Sequence, residues 1–416
     1  MNSFFRLAAW GFPALVIWLI FYCDIALPDI VETSDYLTCM YTAAKLYVTH
    51  RWDEIYTPYG ASTFINQPCD IAAHQFLPHF SKSLIAEFNY CPLLAALLVP
   101  LSYLPPNYSL LVFQLISILA LIVSICLLVK TPSDRVKASL LATLFFPIPV
   151  SIWIGQVDLL VGMLPFSIGY LLLYQKKLFL AGLVFAVSAL KPQFLIVPII
   201  MGTILLCLKK WQFIAGLIIG GIAFILLNVA FSSFDLFVHW LWSISLCERI
   251  FTNPSGGFAQ RLMVSLPGTL VRWFPASQFS AIKLVSYGIA LLVSLAVIWR
   301  GISQYKANVD WHSWLPDTLV LILLVMPLVL PNFLYYDLSL YFLAYLFFKE
   351  CPANKRGSLF LARMYAFGLL LTNAFLLSLF IWRENVKPQF LLAAFAIMFT
   401  IWLTKNKNVL LQEEKL

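Results

Sequence analysis

Residues 175–211 read QKKLFLAGLVFAVSALKPQFLIVPIIMGTILLCLKKW. Two apolar runs, 178–190 and 193–208, carry a pair of lysines at each outer end and meet at Lys191-Pro192. Proline interrupts a helix, and lysine clusters mark the cytoplasmic ends of membrane helices. The stretch therefore predicts a hairpin of two membrane helices with Lys191 at its extracytoplasmic tip.

The whole chain has the composition of a membrane protein. Of its 416 residues, 62% are hydrophobic and 11% are charged, and the mean hydropathy is +0.88. An ordinary soluble domain is about 45–50% apolar and about 25% charged. The net charge of +8 comes from small basic clusters between apolar runs, which is typical of membrane topology and not of a nucleic-acid surface. Soluble enzymes, nucleic-acid-binding proteins and disordered scaffolds are thereby excluded.

Apolar runs that could cross a bilayer predict about twelve membrane helices in one domain over residues 1–416. The runs lie near residues 7–27, 108–129, 139–154, 157–174, 178–190, 193–208, 211–231, 279–299, 316–330, 333–348, 358–381 and 389–403. The predicted fold class is an all-α polytopic protein of the inner, or plasma, membrane. With the N-terminus inside, the basic clusters lie in the cytoplasm. The two long polar loops, 28–107 and 232–278, are then extracytoplasmic.

The first long loop carries the carboxylate that is the main catalytic candidate. Ser34 has the residue type of a helix N-cap. The residues after it fall at the spacing of an amphipathic helix on the membrane surface: Tyr36, Met40, Ala44 and Tyr47. Asp35 would lie at the positive end of this helix, where it could simply stabilise the N-terminus by about 0.3–1 kcal/mol or could act in chemistry. Its position alone favours neither reading.

Three further polar turns between apolar runs are predicted to reach the extracytoplasmic surface. Gln156 and Asp158 occupy the first turn, where they could instead be ordinary helix caps. Lys191 precedes a proline and a new helix N-terminus, which suit an anionic phosphate; the alternative is that the lysine snorkels to the interface. Asp337 follows Tyr336 in the third turn. Because a carboxylate in the bilayer core costs about 2.5–3.5 kcal/mol, Asp337 is expected to face a wet cavity or a partner.

The sequence gives no indication of a cofactor or a resident metal. It contains no phosphate-binding glycine loop, zinc-ligand cluster, serine-hydrolase elbow or dinucleotide fingerprint. Asp53-Glu54 could be imagined as metal ligands, but no second ligand cluster accompanies them. Cys39 and Cys69 could form a disulfide, although isolated cysteines commonly serve as small apolar residues. We therefore expect no cofactor, no metal and no nucleic-acid partner.

Four short motifs follow one another along residues 30–215. The first is Asp35-Tyr36 with Tyr41-Thr42-Ala43-Ala44. The second is formed by Phe88, Tyr90, Pro92, Ala96, Leu97, Leu98, Pro100, Leu101, Leu104 and Pro105. The others are Gly155-Gln156-Val157-Asp158 and Lys191-Pro192-Gln193, the latter followed by Lys209-Lys210-Trp211. In this order they resemble glycosyltransferase family 87, whose members are multi-pass GT-C enzymes related to the polyprenyl-phosphate-mannose-dependent mannosyltransferases of bacterial envelopes.

The chain departs from the family pattern at three places. Cys91 replaces a usual proline, and Asp158 replaces a usual asparagine. The late turn at Tyr336-Asp337 matches only loosely, so the resemblance says less about how the acceptor substrate is bound.

The resemblance implies a polyprenyl-phosphate sugar donor, a lipid-linked or envelope-glycan acceptor, and transfer with inversion at the extracytoplasmic surface of the membrane. The sugar would be a hexose, with mannose as the family's usual choice. Because the acceptor hydroxyl needs a base and the leaving phosphate carries charge, Asp35 is the expected general base. Lys191 and Gln193 are the expected donor-phosphate site. The expected substrate-binding residues are Tyr36, Tyr41, Tyr90, Gln156, Asp158, Tyr336 and Asp337.

Two other functions are compatible with the sequence. A transporter or flippase of lipid-linked saccharides could use the same cavity and Lys191 without a base. A non-catalytic assembly protein would tolerate replacement of both Asp35 and Lys191. The polar residues gather on one face, and no inverted repeat is visible, which favours the enzyme over the transporter.

Overall fold

The computed structural model describes residues 3–82, 84–251, 263–270, 274–307, 310–349 and 372–373, with the side chains of the first helix described from residue 14 onward. Within these ranges the regular structure is helical, and one isolated antiparallel bridge joins Met263 and Leu334. The predicted all-α class is thereby confirmed for the described part of the chain.

The α-helices, in chain order, are α1 (Ser3–Ala26), α2 (Pro28–Val31), α3 (Thr42–Val48), α4 (Pro68–Phe76), α5 (Pro92–Ser102), α6 (Pro106–Leu128), α7 (Pro132–Leu144), α8 (Pro147–Trp153), α9 (Leu164–Tyr174), α10 (Leu178–Ala186), α11 (Ile196–Cys207), α12 (Trp211–Phe231), α13 (Phe234–Phe251), α14 (Leu266–Leu270), α15 (Phe279–Lys306), α16 (Trp311–Val329) and α17 (Leu340–Lys349). Two π-helical turns, Tyr36–Tyr41 and Leu159–Met163, lead into α3 and α9. Short 3₁₀ turns are Trp52–Glu54, Val187–Leu190, Pro192–Leu195, Ala276–Gln278 and Tyr335–Ser339.

Four of these helices, α6, α12, α15 and α16, are long and apolar enough to cross a membrane. Helices α7 and α8 together would make a fifth span, bent by 73° at the break between them. Most other predicted runs coincide with shorter apolar helices. The run 389–403 lies outside the described residues, as does the run 358–381 apart from residues 372–373. The structure thus supports a membrane protein, and the figure of about twelve spans stays a prediction.

The bend between α7 and α8 explains why the predicted span 139–154 is not one straight helix. Pro147 has no backbone N–H, so the regular helical hydrogen bonds are interrupted there. The Asn373 side chain accepts a hydrogen bond from Phe146 N (3.1 Å) and donates one to Leu144 O (2.6 Å). Backbone groups released inside a membrane need such partners. The break is therefore a stable feature of the fold.

Helices α10 and α12 pack with their backbones in close contact. A Cβ atom at Gly182 would collide with Phe213 O, and one at Gly216 would collide with Phe179 O. Small residues allow membrane helices to approach this closely. A Cβ atom at Gly221, also on α12, would meet no atom within 4 Å. Of these three glycines, only the first two are required by packing.

Helix α16 lies at the centre of the described bundle. Of its apolar window, 72% is buried, compared with 17% for α12 and 22% for α15. The two peripheral helices expose large apolar side chains such as Leu226 and Leu292. Because α16 is central, the 3₁₀ turn that follows it is deep in the molecule, and both Tyr335 and Asp337 are fully buried.

The first long loop packs into the protein instead of lying on lipid. Tyr36, Met40 and Ala44, which were expected on an amphipathic surface helix, are fully buried. They belong to the π-helical turn and to α3, which contact α4, α5 and α6. The expectation of a surface helix was wrong because these apolar side chains find protein partners, so that the segment does not need lipid to cover it.

Both long loops meet on one side of the bundle. From α13, Trp240 Nε1 donates to Asn89 O (3.1 Å), and a ring nitrogen of His239 contacts Thr57 O (2.7 Å). The Tyr47 hydroxyl donates to a backbone carbonyl at the end of α12. Helix α13 therefore covers the extended segment that leads into α5.

Candidate functional site

Four interruptions of regular helix bring the predicted polar residues together. They are the π-helical turn after Asp35, the turn between α8 and α9 with Gln156 and Asp158, the break at Lys191 between α10 and α11, and the 3₁₀ turn with Asp337. At the break, the backbone of Lys191 is extended, with φ −128° and ψ 93°. Residues distant in sequence are thereby gathered into one polar cluster in a largely apolar protein.

Lys191 forms the centre of a buried ion cluster. Its Nζ donates to a carboxylate oxygen of Asp158 and to Oδ1 of Asp337 (2.6 Å), and all three side chains are buried. The second oxygen of Asp337 accepts from Leu334 N (2.7 Å). Buried charges persist only when they are paired and hydrogen-bonded. The lysine therefore ties the turn after α8 to the turn after α16, and it does not snorkel to an interface.

Asp35 differs from the other two aspartates of the cluster because it is partly exposed. Its Oδ2 accepts a hydrogen bond from Gln156 Nε2, and Tyr336 also hydrogen-bonds to the carboxylate. Gln156 Oε1 in turn accepts from the Tyr90 hydroxyl (2.9 Å) and from Lys191 Nζ (3.4 Å). A single amide thus links Asp35 to an aromatic residue of the first loop and to the ion cluster.

The surroundings of Asp35 raise the pKa of its carboxyl group to about 6, from an ordinary value of 3.8. Burial is the main cause, and the negative charge of Asp337 adds to it. The hydrogen bond from Gln156, the charge of Lys191 and the hydrogen bond from Tyr336 act in the opposite direction. A carboxylate whose pKa lies near the working pH has the basicity that general base catalysis requires.

The backbone next to Asp35 is held by α8 and α6. Tyr36 N donates to Ile154 O (3.0 Å), and the Tyr36 hydroxyl shares a hydrogen bond with Ser109 Oγ (2.7 Å). Gly155 has a positive φ of 71°, and a side chain there would collide with Tyr36. Gly155 is therefore required both by its backbone conformation and by the close approach of the first loop.

Two of the predicted substrate-binding residues have structural partners. Tyr36 is fully buried and stacks on Phe113 with ring centroids 4.5 Å apart. The Tyr41 hydroxyl donates to Leu104 O (3.0 Å). Both tyrosines pack the first loop against α5 and α6, and their side chains are not part of the hydrogen-bonded cluster at Asp35.

The two residues predicted to bind the donor phosphate are placed differently. Lys191 directs its ammonium group at the carboxylates of Asp158 and Asp337. Asp35 also interacts electrostatically with Lys191, so when Asp35 is ionised the cluster holds three negative charges and one positive charge. Gln193 lies in the 3₁₀ turn Pro192–Leu195, is half-buried, and is not part of the ion cluster.

The structure adds two polar residues that the sequence interpretation did not single out. Glu87 and Asn89 precede α5, both are partly exposed, and Asn89 Nδ2 donates to Glu87 Oε1 (3.3 Å). Burial and the charge of Asp35 raise the pKa of Glu87 to about 8. The sequence could have indicated these two residues, because they lie beside Phe88 and Tyr90, which belong to one of the four motifs.

The other candidate ligands have ordinary roles in the described residues. Glu54 pairs with Arg51 (2.5 Å), Cys39 and Cys69 are free thiols, and no group of three or more His, Cys, Asp or Glu side chains there is arranged to hold a metal ion.

Comparison with known proteins assigns the chain to a family. The sequence model of glycosyltransferase family 87 matches residues 88–331, which is more than half of the chain. No curated protein and no solved structure matches significantly. The matched range includes Tyr90, Gln156, Asp158 and Lys191, whereas Asp35 precedes it and Asp337 follows it.

Proposed function

This chain belongs to glycosyltransferase family 87, and from that premise we propose that it transfers a hexose from a polyprenyl-phosphate donor to a hydroxyl of a lipid-linked or envelope-glycan acceptor. The family makes the protein a membrane glycosyltransferase. We propose the identity of the donor, the acceptor and the catalytic residues. Mannose is the hexose that the family resemblance suggests.

The observation that carries the proposal is the state of Asp35. Of the three aspartates in the cluster, Asp158 and Asp337 are fully buried against Lys191, whereas Asp35 is partly exposed and forms no ion pair with any residue that the structure describes. Its hydrogen bonds from Gln156 and Tyr336 fix the carboxylate without neutralising it. A fixed, accessible carboxylate is what deprotonation of a substrate hydroxyl requires.

The proposed reaction is a single displacement. Asp35 removes the proton of the acceptor hydroxyl as that oxygen forms a bond to the anomeric carbon of the donor sugar. The bond between the anomeric carbon and the phosphate oxygen breaks, and the polyprenyl phosphate leaves with the electron pair. Attack and departure on opposite faces invert the anomeric centre. The phosphate leaves as an anion, so no general acid is needed for this step.

Lys191 acts in this proposal first as a positioning residue. Its contacts with Asp158 and Asp337 join two turns, and its contact with Gln156 supports the amide that holds Asp35. A direct contact of Lys191 or Gln193 with the donor phosphate stays a prediction. For Lys191 it would require a phosphate oxygen to replace one of the two carboxylates.

The active site is proposed to face the extracytoplasmic side. Both long loops meet over α5, and the basic clusters of the chain lie at the opposite ends of the apolar runs. A lipid-borne donor suits a compartment without nucleotide sugars.

The test is sugar transfer from radiolabelled polyprenyl-phosphate hexoses by membranes that contain the wild-type chain or Asp35→Asn. Loss of a general base is expected to lower transfer about 10²–10⁴-fold while the protein still inserts. Asp53→Asn, an exposed carboxylate in the same loop, is the matched control and should transfer normally. Unchanged transfer by Asp35→Asn would refute the base assignment. Absence of wild-type transfer across the panel, with movement of lipid-linked saccharides across proteoliposomes, would establish the transporter.

A further inference from the structure

A short polar segment lies beside Asp35 and has no role in the reaction described above. It runs from Glu87 to Tyr90, between α4 and α5. From its position and its free hydrogen-bonding capacity we infer that Glu87 and Asn89 form a subsite for the ring hydroxyls of a hexose held next to Asp35. This inference rests on the proposed function, because it names what these residues contribute to that site.

Three hydrogen bonds fix the segment, two at its backbone and one through the Tyr90 side chain. Trp240 on α13 donates to Asn89 O (3.1 Å), and the Tyr56 hydroxyl donates to Tyr90 O (2.6 Å). The Tyr90 hydroxyl donates to Gln156, which in turn holds Asp35. The side chains of Glu87 and Asn89 therefore extend from a rigid support, as a specific binding site requires.

Five side chains of the site are accessible to solvent. Asp35, Cys39, Glu87, Asn89 and Tyr90 are all partly exposed, whereas the ion cluster beneath them is buried. Glu87 interacts electrostatically with Asp35 and with Cys39. The hydrogen bonds from Tyr90 to Gln156 and from Gln156 to Asp35 join the segment to the Asp35 carboxylate, so a sugar held at that carboxylate would lie next to the segment.

The hydrogen-bonding capacity of the pair is incompletely used. Asn89 Nδ2 donates to Glu87, but the buried Oδ1 atom of Asn89 has no hydrogen-bond partner among the described residues. A buried acceptor without a donor is unfavourable, and substrate hydroxyls can supply the missing donors. Asp158 and Asp337 are fully buried against Lys191, and Asp35 is assigned to the acceptor hydroxyl in the proposed reaction. Glu87 and Asn89 can therefore serve the other hydroxyls of the sugar.

The local charge determines the chemical class of the ligand. Asp35, Asp158 and Asp337 carry more negative charge than Lys191 compensates, so a phosphate would be repelled at this position. A neutral polyol is not repelled, and its hydroxyl groups can each donate to a carboxyl or amide oxygen. The raised pKa of Glu87 supports the same reading, because a carboxyl group that keeps its proton near neutral pH can also donate to a sugar oxygen.

The experiment measures transfer kinetics of the purified full chain with Glu87→Ala, Glu87→Gln and Asn89→Ala, varying donor and acceptor concentrations separately. The subsite predicts that KM for one of the two substrates rises about tenfold while kcat stays within about threefold, with Glu87→Gln less affected than Glu87→Ala. The substrate whose KM rises identifies the sugar that is bound. Glu54→Gln, a carboxylate of the same loop paired with Arg51, is the control.

Deoxy analogues of that sugar separate contact from structural damage. Removing the bound hydroxyl should weaken binding to the wild-type chain but cost little further in the variants, because the partner is already missing. Equal losses in wild type and variants for every deoxy position, or unchanged KM values in Glu87→Ala and Asn89→Ala, would overturn the subsite while leaving the proposed transfer intact.

If the wild-type chain transfers no sugar, the proposed function fails and the subsite is judged by binding. Binding of a lipid-linked hexose to the wild-type chain is then compared with binding to the same variants. Weakening of about tenfold in Glu87→Ala and Asn89→Ala would uphold the subsite. Equal affinity for all three chains would overturn it.

Discussion

Asp35, Asp158 and Asp337 are the same residue type in one cluster, and their surroundings give them different roles. Asp158 and Asp337 form buried ion pairs with Lys191, and these pairs hold the turns together. Asp35 is partly exposed, and its hydrogen-bond donors among the described residues are neutral: the Gln156 amide and the Tyr336 hydroxyl. The proposed catalytic role thus depends on where the side chain lies and not on residue type.

The pH dependence of transfer follows from the raised pKa of Asp35. A base must be ionised, so kcat/KM should fall as the pH drops through about 6, and not through the ordinary aspartate value of 3.8. The hydrogen bond from Gln156 lowers this pKa, so Gln156→Ala should move the acidic limb to higher pH. Rate profiles of both proteins check this, and an acidic limb near pH 4 in the wild-type chain would contradict it.

Removal of the Lys191 ammonium group should destabilise the protein. In Lys191→Ala, two buried carboxylates would face each other without a counter-charge, which costs about 3–5 kcal/mol. Thermal unfolding in detergent should show a clear drop in Tm. Lys137→Ala, which removes a surface lysine paired with Asp134, should change little. Equal stability of Lys191→Ala and wild type would show that the buried ion cluster does not hold the turns together.

At the scale of elements, the interruptions of helices matter more than the helices. The π-helical turns before α3 and α9, the extended residue between α10 and α11 and the 3₁₀ turn Tyr335–Ser339 all deliver side chains to the site. In a continuous straight helix, successive side chains point in different directions around the helix axis, so these polar groups could not have met at one place. Breaks of this kind are tolerated at membrane depth because neighbouring groups satisfy the released backbone atoms.

The contact between α10 and α12 supports this arrangement, since α10 ends directly before the Lys191 break. Gly216→Ala would force the two backbones apart and should destabilise the protein by about 1–3 kcal/mol. Gly221→Ala lies on the same helix in open space and should be neutral or slightly stabilising, because alanine favours helix. The midpoints of thermal unfolding compare the two, and similar midpoints would show that close packing at Gly216 is not required.

At the scale of the whole molecule, a central helix is surrounded by helices with exposed apolar faces, and the two long loops contact each other. Helix α16 is mostly buried, whereas α12 and α15 expose apolar faces. The first loop and α13 contact each other through Trp240 and His239, over the segment that carries Glu87 and Asn89. The buried ion cluster therefore lies among helices, and the two loops meet over the segment next to it.

The amino-acid sequence by itself determined the membrane class, the positions of most apolar helices and the order of the family motifs. These properties are local: hydropathy is summed along a window, and a proline or lysine pair acts where it stands. Gln156, Asp158 and Lys191 could be recognised as candidates because each interrupts an apolar run. The family assignment followed from the same short segments, and the match over residues 88–331 confirmed it.

Only the tertiary structure decided which polar groups are partners. Lys191 meets Asp337 across 146 positions, and Gln156 meets Asp35 across 121. No local pattern encodes such pairs, because they depend on how separate helices pack. The same packing buried Tyr36, spread the charge of Lys191 over two aspartates and brought Glu87 within electrostatic range of Asp35. Burial and pairing are properties of the assembled molecule, and they set the charge and the accessibility of the site.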